Sequence, residues 1–515
     1  MNGAESLVRT LLAGNVNVCF TNPGTSEMHF VAALDQVPGM RSVLCLFEGG
    51  ATGAADGYYR MKGRPASTLL HLGPGLANGI ANLHNAKKAG SGVVNIVGEH
   101  ATYHIELDAP LTADIEGLAR PVSHWVKTSN SSKDIAKHGA EAIAAAMVPP
   151  GQIATLILPG DTAWNEGAGI ADIPEFEQRS SVDSNKVDRA AKVLKEGSNT
   201  LLLLGGAALR EENLVLAGKI AAKTGCALLT EWSNARLDRG AGRIEVNRIP
   251  YVVEKSLDVL KGYDKIVLMG AKAPVAFFAY PNKPSILTQD GCQFFEVAGD
   301  SDDIASALAG LVDAVGAEQT EPKGVVKPFR PDVPDGPIDP GSIASVIGAL
   351  LPENAVVVDE SVTTGREFFP LTAGAAPHAW LNNRGGSIGY GLPVATGAAI
   401  ACPGQKIVAL EGDGSAMYTV QSLWTIAREQ LDVTIMVFSN RSYKILRGEL
   451  TNVGVQNPGP RAVDMLSLNR PDLDWVKMAA GMGVDGCKVK DAKQLAKAFE
   501  SGLATDTPYL IEVEM

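Results

Sequence analysis

The sequence has no pair of cysteines close enough to suggest a zinc site or a redox dithiol. Its six, Cys19, Cys45, Cys226, Cys292, Cys402 and Cys487, are scattered over 515 residues without a Cys-x-x-Cys spacing. Reduced, buried thiols are the expectation, and a cytoplasmic location goes with them. Positive charge is also short: 45 Lys and Arg against 57 Asp and Glu give a net charge of −12. That balance argues against nucleic acid or an anionic membrane as the main partner, though it leaves room for a local basic pocket. No run approaches the roughly 18 apolar residues of a membrane helix, and Met1–Thr10 carries an acid and no long apolar core. Wholesale disorder is excluded by a composition that is 45% hydrophobic and 20% charged.

What the chain does have is length for roughly three domains at about 100–200 residues each, and 55 glycines that cluster at the ends of apolar runs. Short β-branched or Leu-rich runs alternate with Ala-rich stretches. They are Val16–Phe20, Ser42–Phe47, Ser67–His71, Gly92–Val97, Ala154–Leu158, Thr200–Leu204, Lys265–Met269, Ala355–Val358, Lys406–Leu410 and Val433–Phe438. This alternation predicts an α/β protein of parallel sheets wrapped by crossover helices. Two stretches interrupt it, Asp161–Asp183 and Glu321–Pro340, the second with prolines at 322, 328, 331, 334, 337 and 340. The expected division is therefore residues 1–165, 184–320, a Pro-rich linker 321–340, and 341–515. Ala-Thr-Gly-Ala-Ala occurs at both Ala51–Ala55 and Ala395–Ala399, in each case inside an expected helix that suits close packing.

The strongest chemical signal lies in Lys406–Asn440. An apolar strand ends in Glu411-Gly412-Asp413-Gly414-Ser415, a helix is expected over about Thr419–Glu429, and a second strand ends in Ser439-Asn440. One βαβ unit fills that spacing, so Asp413 and Asn440 fall at the carboxyl ends of parallel strands, where ligands bind. A carboxylate and an amide oxygen there can hold a hard cation such as Mg²⁺. Gly412 and Gly414 let the backbone approach a diphosphate at a helix N-terminus.

This segment resembles the thiamine diphosphate signature of acetolactate synthase, benzoylformate decarboxylase and their relatives. Asn22-Pro23-Gly24-Thr25, Glu48-Gly49-Gly50 and His71-Leu72-Gly73-Pro74-Gly75 match the family's N-terminal part in order and spacing. The resemblance spans the chain and is nearest to the acetolactate synthase large-subunit-like proteins. It implies three doubly wound domains: pyrimidine-binding, central and diphosphate-binding. It further implies thiamine diphosphate and Mg²⁺ as cofactors, with Asp413, Asn440 and Ser442 at the metal. The cofactor would be contacted by Thr25, Glu48, Thr363, Gly386, Ile388, Gly412, Asp413, Gly414, Ser415, Asn440, Ser442 and Tyr443. By the same resemblance Glu48 promotes the imino tautomer of the cofactor's aminopyrimidine, and Ile388 props the cofactor into its bent shape. His71 is the second catalytic candidate, and Thr25, His71, Leu111, Ile445 and Leu446 line the substrate pocket.

The implied activity is decarboxylation of a 2-oxo acid with transfer of the enamine to a second carbonyl, in a homodimer or homotetramer whose sites are shared between subunits. Two alternatives stand beside it: a benzoylformate decarboxylase-like enzyme that releases an aldehyde, and a flavin-assisted 2-oxo acid oxidase. FAD is not supported by the residues, since Gly205-Gly206 is not followed by a Gly-x-Gly-x-x-Gly pattern. His71 matches the active-site histidine of benzoylformate decarboxylase, whereas Gly73-Pro74-Gly75 is more like acetolactate synthase. The decarboxylase's second histidine has no counterpart in Pro274–Tyr280, and Asp108–Thr112 departs from the Phe-Gln-Glu stretch of acetolactate synthase. His100 and His104, four apart, are expected in a solvated loop and not as a metal pair.

Overall fold

The computed structural model describes residues 1–197 and 199–515. Its first part contains β1 (Val18–Asn22), β2 (Arg41–Leu44), β3 (Ala66–Leu70), β4 (Val93–Glu99), β5 (Trp125–Thr128) and β6 (Ile153–Pro159). These form one parallel sheet in the order β2-β1-β3-β4-β6-β5. Strands β3, β4 and β6 are buried along their whole length. That is why they read as continuous apolar runs: helices cover both faces of the sheet. The strand order reverses between β1 and β3, so the turns after these two strands open a crevice at their carboxyl ends.

The middle part contributes β7 (Thr200–Leu204), β8 (Ala227–Thr230), β9 (Leu237–Arg239), β10 (Asn247–Arg248), β11 (Lys265–Met269) and β12 (Gln293–Ala298). Five of them form a second parallel sheet, β10-β8-β7-β11-β12, which reverses between β7 and β11. The last part has β13 (Val356–Glu360), β14 (His378–Asn382), β15 (Ile407–Gly412), β16 (Val433–Ser439), β17 (Asp485–Val489) and β18 (Tyr509–Glu514). Its sheet runs β17-β18-β16-β15-β13-β14-β9 and reverses between β13 and β15. The three parallel sheets agree with the expected α/β architecture. One strand departs from it: β9 leaves the middle part and pairs antiparallel with β14.

The two Ala-Thr-Gly-Ala-Ala segments lie on the helices Glu48–Lys62 and Gly391–Ala401, which pack on each other within the chain. Glycine is required at the crossing. A Cβ on Gly397 would lie 1.8 Å from the carbonyl oxygen of Ala54, and one on Gly57 would lie 2.2 Å from that of Val394. Buried Arg60, on the first of these helices, is held bidentately by Asp56 at 2.7 and 2.8 Å. Its remaining nitrogen donates to the Asn382 and Ala235 carbonyls, so one guanidinium joins the first, middle and last parts.

Candidate active site

Strands β15 and β16 are adjacent and parallel, with Gly412 opposite Phe438. The turns that follow them are therefore neighbours, as the spacing predicted. Asp413 starts a short helical turn, Asp413–Ala416, and the longer helix begins only at Ser422, later than expected, after the 3-10 turn Met417–Thr419. The Asp413 side chain is 2% exposed. One carboxylate oxygen accepts from the Gly414 amide at 2.9 Å, the other from the Arg441 amide at 2.6 Å. Arg441 has φ +57, a strained value that turns its N–H towards the neighbouring strand end. Burial pushes the Asp413 carboxyl up to about 6 despite those donors.

The Asn440 side-chain oxygen accepts from the Ser442 amide at 3.0 Å, while the Ser442 hydroxyl donates to the Leu466 carbonyl at 2.9 Å. Gly414 packs under the Tyr443 ring, where a Cβ would come within 2.4 Å. A buried carboxylate short of charge compensation, an amide oxygen on the adjacent turn and a glycine-lined helix start form a donor set suited to a hard cation carrying a diphosphate. Among the described residues, no group of three His, Cys, Asp or Glu side chains forms a metal cage. A cation here would need phosphate oxygens as further ligands.

The turns after β13 and β14 adjoin this cradle. Thr363 opens a 3-10 turn over Thr364–Glu367. Gly386, at φ +79, and half-buried Ile388 lie on the loop 385–389, whose first two amides donate to Asn383 Oδ1. Glu360, at the end of β13, accepts from the amides of Gly389, Tyr390 and Gly391 at 2.9–3.2 Å and fixes the other end of that loop. Burial raises Glu360 to about 7, and burial together with the neighbouring Glu360 pushes the Glu411 carboxyl well above the usual carboxylate range. Neither acid was among the sequence candidates.

At the first sheet's crevice, Glu48 begins its helix, 8% exposed, and accepts from Asn78 Nδ2 at 3.0 Å. His71 follows β3 with its Nδ1 2.8 Å from Glu27 Oε2. The same Glu27 oxygen accepts from the Gly24 amide at 2.6 Å. Glycines clear the space for this pair: a Cβ on Gly24 would lie 2.3 Å from the His71 ring, and one on Gly98 would lie 1.6 Å from Glu27 Oε1. Glu27 was missed in the sequence: its side chain reaches back to the Gly24 amide as in a capping box, but Gly24 has no side chain to complete that signal. Thr25 lies exposed on that turn, and Leu111 is 39% exposed on a loop. Ile445 and Leu446 are on the helix Lys444–Asn452, half-buried and exposed respectively. His100 and His104 have ring centroids 5.4 Å apart, outside any α-helix.

Three doubly wound sheets with turns of this chemistry define an enzyme that binds a diphosphate-bearing cofactor. Residues 1–119 match the thiamine pyrophosphate enzyme N-terminal TPP binding domain, and residues 366–513 match the C-terminal TPP binding domain of the same enzymes. The chain is 49% identical over 515 residues, 100% of its length and 99% of the relative's, to Mycobacterium tuberculosis IlvX, whose name assigns it provisionally to the acetolactate synthase large subunits. It is 28% identical to the benzoylformate decarboxylase of Pseudomonas aeruginosa, with 96% and 95% of the two chains covered. A Rhodococcus jostii thiamine diphosphate-dependent 4-hydroxybenzoylformate decarboxylase shares the fold, with a TM-score of 0.87 at 24% identity over 100% and 99% of the two chains. The chain belongs to the thiamine pyrophosphate enzymes. No described helix is long and apolar enough to cross a membrane.

Proposed function

We propose that this enzyme decarboxylates a 2-oxo acid and joins the remaining fragment to a second carbonyl, using thiamine diphosphate and Mg²⁺. The observation that carries the reading is the buried Asp413 carboxylate, which bridges the Gly414 and Arg441 amides at two adjacent strand ends. Asp413, Asn440 and Ser442 would hold the cation. Gly412, Gly414 and Ser415, with Thr363 and Tyr443 beside them, would receive the diphosphate, and Gly386 and Ile388 would support the thiazolium side. When bound, thiamine diphosphate supplies a carbanionic carbon and an electron sink for decarboxylation.

The protein's own groups do the rest. Glu48, fixed by Asn78, would exchange a proton with a ring nitrogen of the aminopyrimidine. His71 would face the oxo acid, with Thr25, Leu111, Ile445 and Leu446 lining its pocket. The site is completed between subunits of a homodimer or homotetramer built from domains 1–165, 184–320 and 341–515, joined by the linker 321–340.

One observation favours a second reading, simple decarboxylation with aldehyde release. Glu27 Oε2, 2.8 Å from His71 Nδ1, orients an imidazole suited to proton transfer. Product analysis separates the two. Incubating the holoenzyme with a panel of 2-oxo acids, with and without an acceptor carbonyl, should yield carbon dioxide and an acyloin or 2-hydroxy-2-acyl acid. Aldehyde alone under both conditions supports the second reading, and no carbon dioxide from any oxo acid refutes both.

A further inference from the structure

His71 and His100 are each the first residue beyond a strand, β3 and β4, and those strands are adjacent and parallel. Both imidazoles therefore belong to the carboxyl-end crevice of the first sheet. Glu27 lies between the two strand ends. Its Oε2 is 2.8 Å from His71 Nδ1, and its Oε1 is buried against Gly98 without a hydrogen-bond partner. The turn that carries His100 is fixed from several sides. Thr102 gives its amide and its hydroxyl to Asp161, beyond β6, at 2.8 and 2.6 Å, and the His104 amide donates to the Ala101 carbonyl at 2.7 Å. The His100 amide donates to buried Glu99 at 2.7 Å.

The His100 ring is half-buried, and its two nitrogens differ. Nε2 is buried with no hydrogen-bond partner, whereas Nδ1 is not enclosed and has no partner among the described residues. Orphaned buried N–H groups are rarer than orphaned buried acceptors, so the proton of the neutral ring belongs on Nδ1. Burial, with the charges of His104 and His71, pushes His100 below the ordinary histidine range, which leaves the ring uncharged at neutral pH. The carboxylates on the surrounding elements do not compensate. Glu27 is engaged with Gly24 and His71, Glu99 with the His100 amide and Asp161 with Thr102, and none accepts from the His100 ring.

We propose that His100 is a further substrate-binding residue, whose Nδ1–H donates to an oxygen of the 2-oxo acid beside His71. The inference rests on the 2-oxo acid reading of this site. The two imidazoles then have separate tasks. His71, held by the Glu27 carboxyl, is suited to move a proton. His100 keeps its own and acts as a neutral, fixed donor that orients and polarises the bound oxygen. The segment that begins at His100 continues to Leu111, so one excursion after β4 supplies both a polar and an apolar contact to the proposed pocket.

The test starts from full-length protein saturated with thiamine diphosphate and Mg²⁺ and carrying nitrogen-labelled histidine, with the His100 signals identified by their loss in His100→Asn. At neutral pH they should report an uncharged ring with its proton on Nδ1. A charged ring, or a proton on Nε2, overturns the proposal. Pyruvate and benzoylformate are then added separately to Glu48→Gln holoprotein. At least one should move the His100 Nδ1 resonance, and no response to either overturns the proposal. In kinetics on the oxo acid that the parent turns over fastest, His100→Ala should lower kcat/KM at least about tenfold, the scale of one lost hydrogen bond to substrate. His100→Asn puts an amide N–H where Nδ1–H stood and should recover to within about threefold of the parent, whereas His100→Gln, whose N–H falls at the Nε2 position, should not. The contrast between two amides separates hydrogen bonding from packing. Equal losses in all three variants, or none in His100→Ala, overturns the proposal. A parent that turns over no oxo acid refutes the proposed function instead, and the tautomer and the two oxo acid titrations then decide His100 by themselves.

Discussion

Replacing Asp413 by Asn should make the cofactor-free protein more stable at neutral pH. In the folded chain burial raises this carboxyl from the ordinary 3.8 to about 6, so between those values the folded state holds a proton that the unfolded state has released. The associated stability is present below pH 3.8, falls as pH rises through the window, and is gone above about pH 6. At about 1.4 kcal/mol per pH unit, ionised Asp413 therefore costs the empty protein up to about 3 kcal/mol at pH 7. The substitution removes the charge, but its amide group must face one of the two N–H donors, Gly414 or Arg441. That lost hydrogen bond costs about 1 kcal/mol. The net expectation is a gain of about 1–2 kcal/mol at pH 7, shrinking to nothing or reversing near pH 4. Urea unfolding of parent and variant, both stripped of metal and cofactor, gives the difference at each pH. A difference that stays constant from pH 4 to 8, or a variant less stable at pH 7, refutes the reasoning.

Gly397→Ala would press a methyl to 1.8 Å from the Ala54 carbonyl. Because backbone lies on both sides of the contact, it should cost about 3 kcal/mol or more by thermal or urea unfolding, and an unchanged melting temperature would contradict the packing. Glu48→Gln should keep cofactor affinity, read by calorimetry, while lowering kcat by about 10²–10⁴; full turnover would remove Glu48 from the chemistry. Glu27→Gln should lower kcat roughly tenfold to a hundredfold with KM little changed, since it replaces the carboxyl that orients His71. Equal kinetics in that variant would leave the pair a packing feature.

Strands with long apolar runs were legible because both faces of their sheets are buried: β7 and β11 coincide with the runs Thr200–Leu204 and Lys265–Met269. Several of those that escaped lack that signal. Strand β14 reads His-Ala-Trp-Leu-Asn, without a β-branched residue, β10 has two residues, and β12 is a partly exposed edge. The antiparallel pairing of β9 could not be read, because Leu-Asp-Arg becomes a strand only when β14 is there to accept it. At the site, the Asp413–Asn440 juxtaposition was legible from spacing alone, since a βαβ unit fixes both strand ends. Glu27, Glu360 and Glu411 were not, because what distinguishes them is burial between segments distant in sequence.

Those buried acids also explain why one carboxylate, and not its neighbours, is free to take a cation. Glu360 spends its lone pairs on three consecutive backbone amides. Burial and Glu360 both oppose ionisation of Glu411 and push its carboxyl well above the usual range, which makes it a poorer ligand for a hard cation. Asp359 already accepts from Ser361, Trp380 and Asn382. Asp413 has only two amide donors, one on each oxygen, which leaves lone-pair capacity on both. Its carboxyl, at about 6, is mostly ionised at neutral pH, and the uncharged Asn440 oxygen on the adjacent turn adds a second donor. The fold thus spends Glu360 and Asp359 on pinning loops and leaves Asp413 buried with lone pairs to spare, so the instability of the empty site and its affinity for a cation have the same cause.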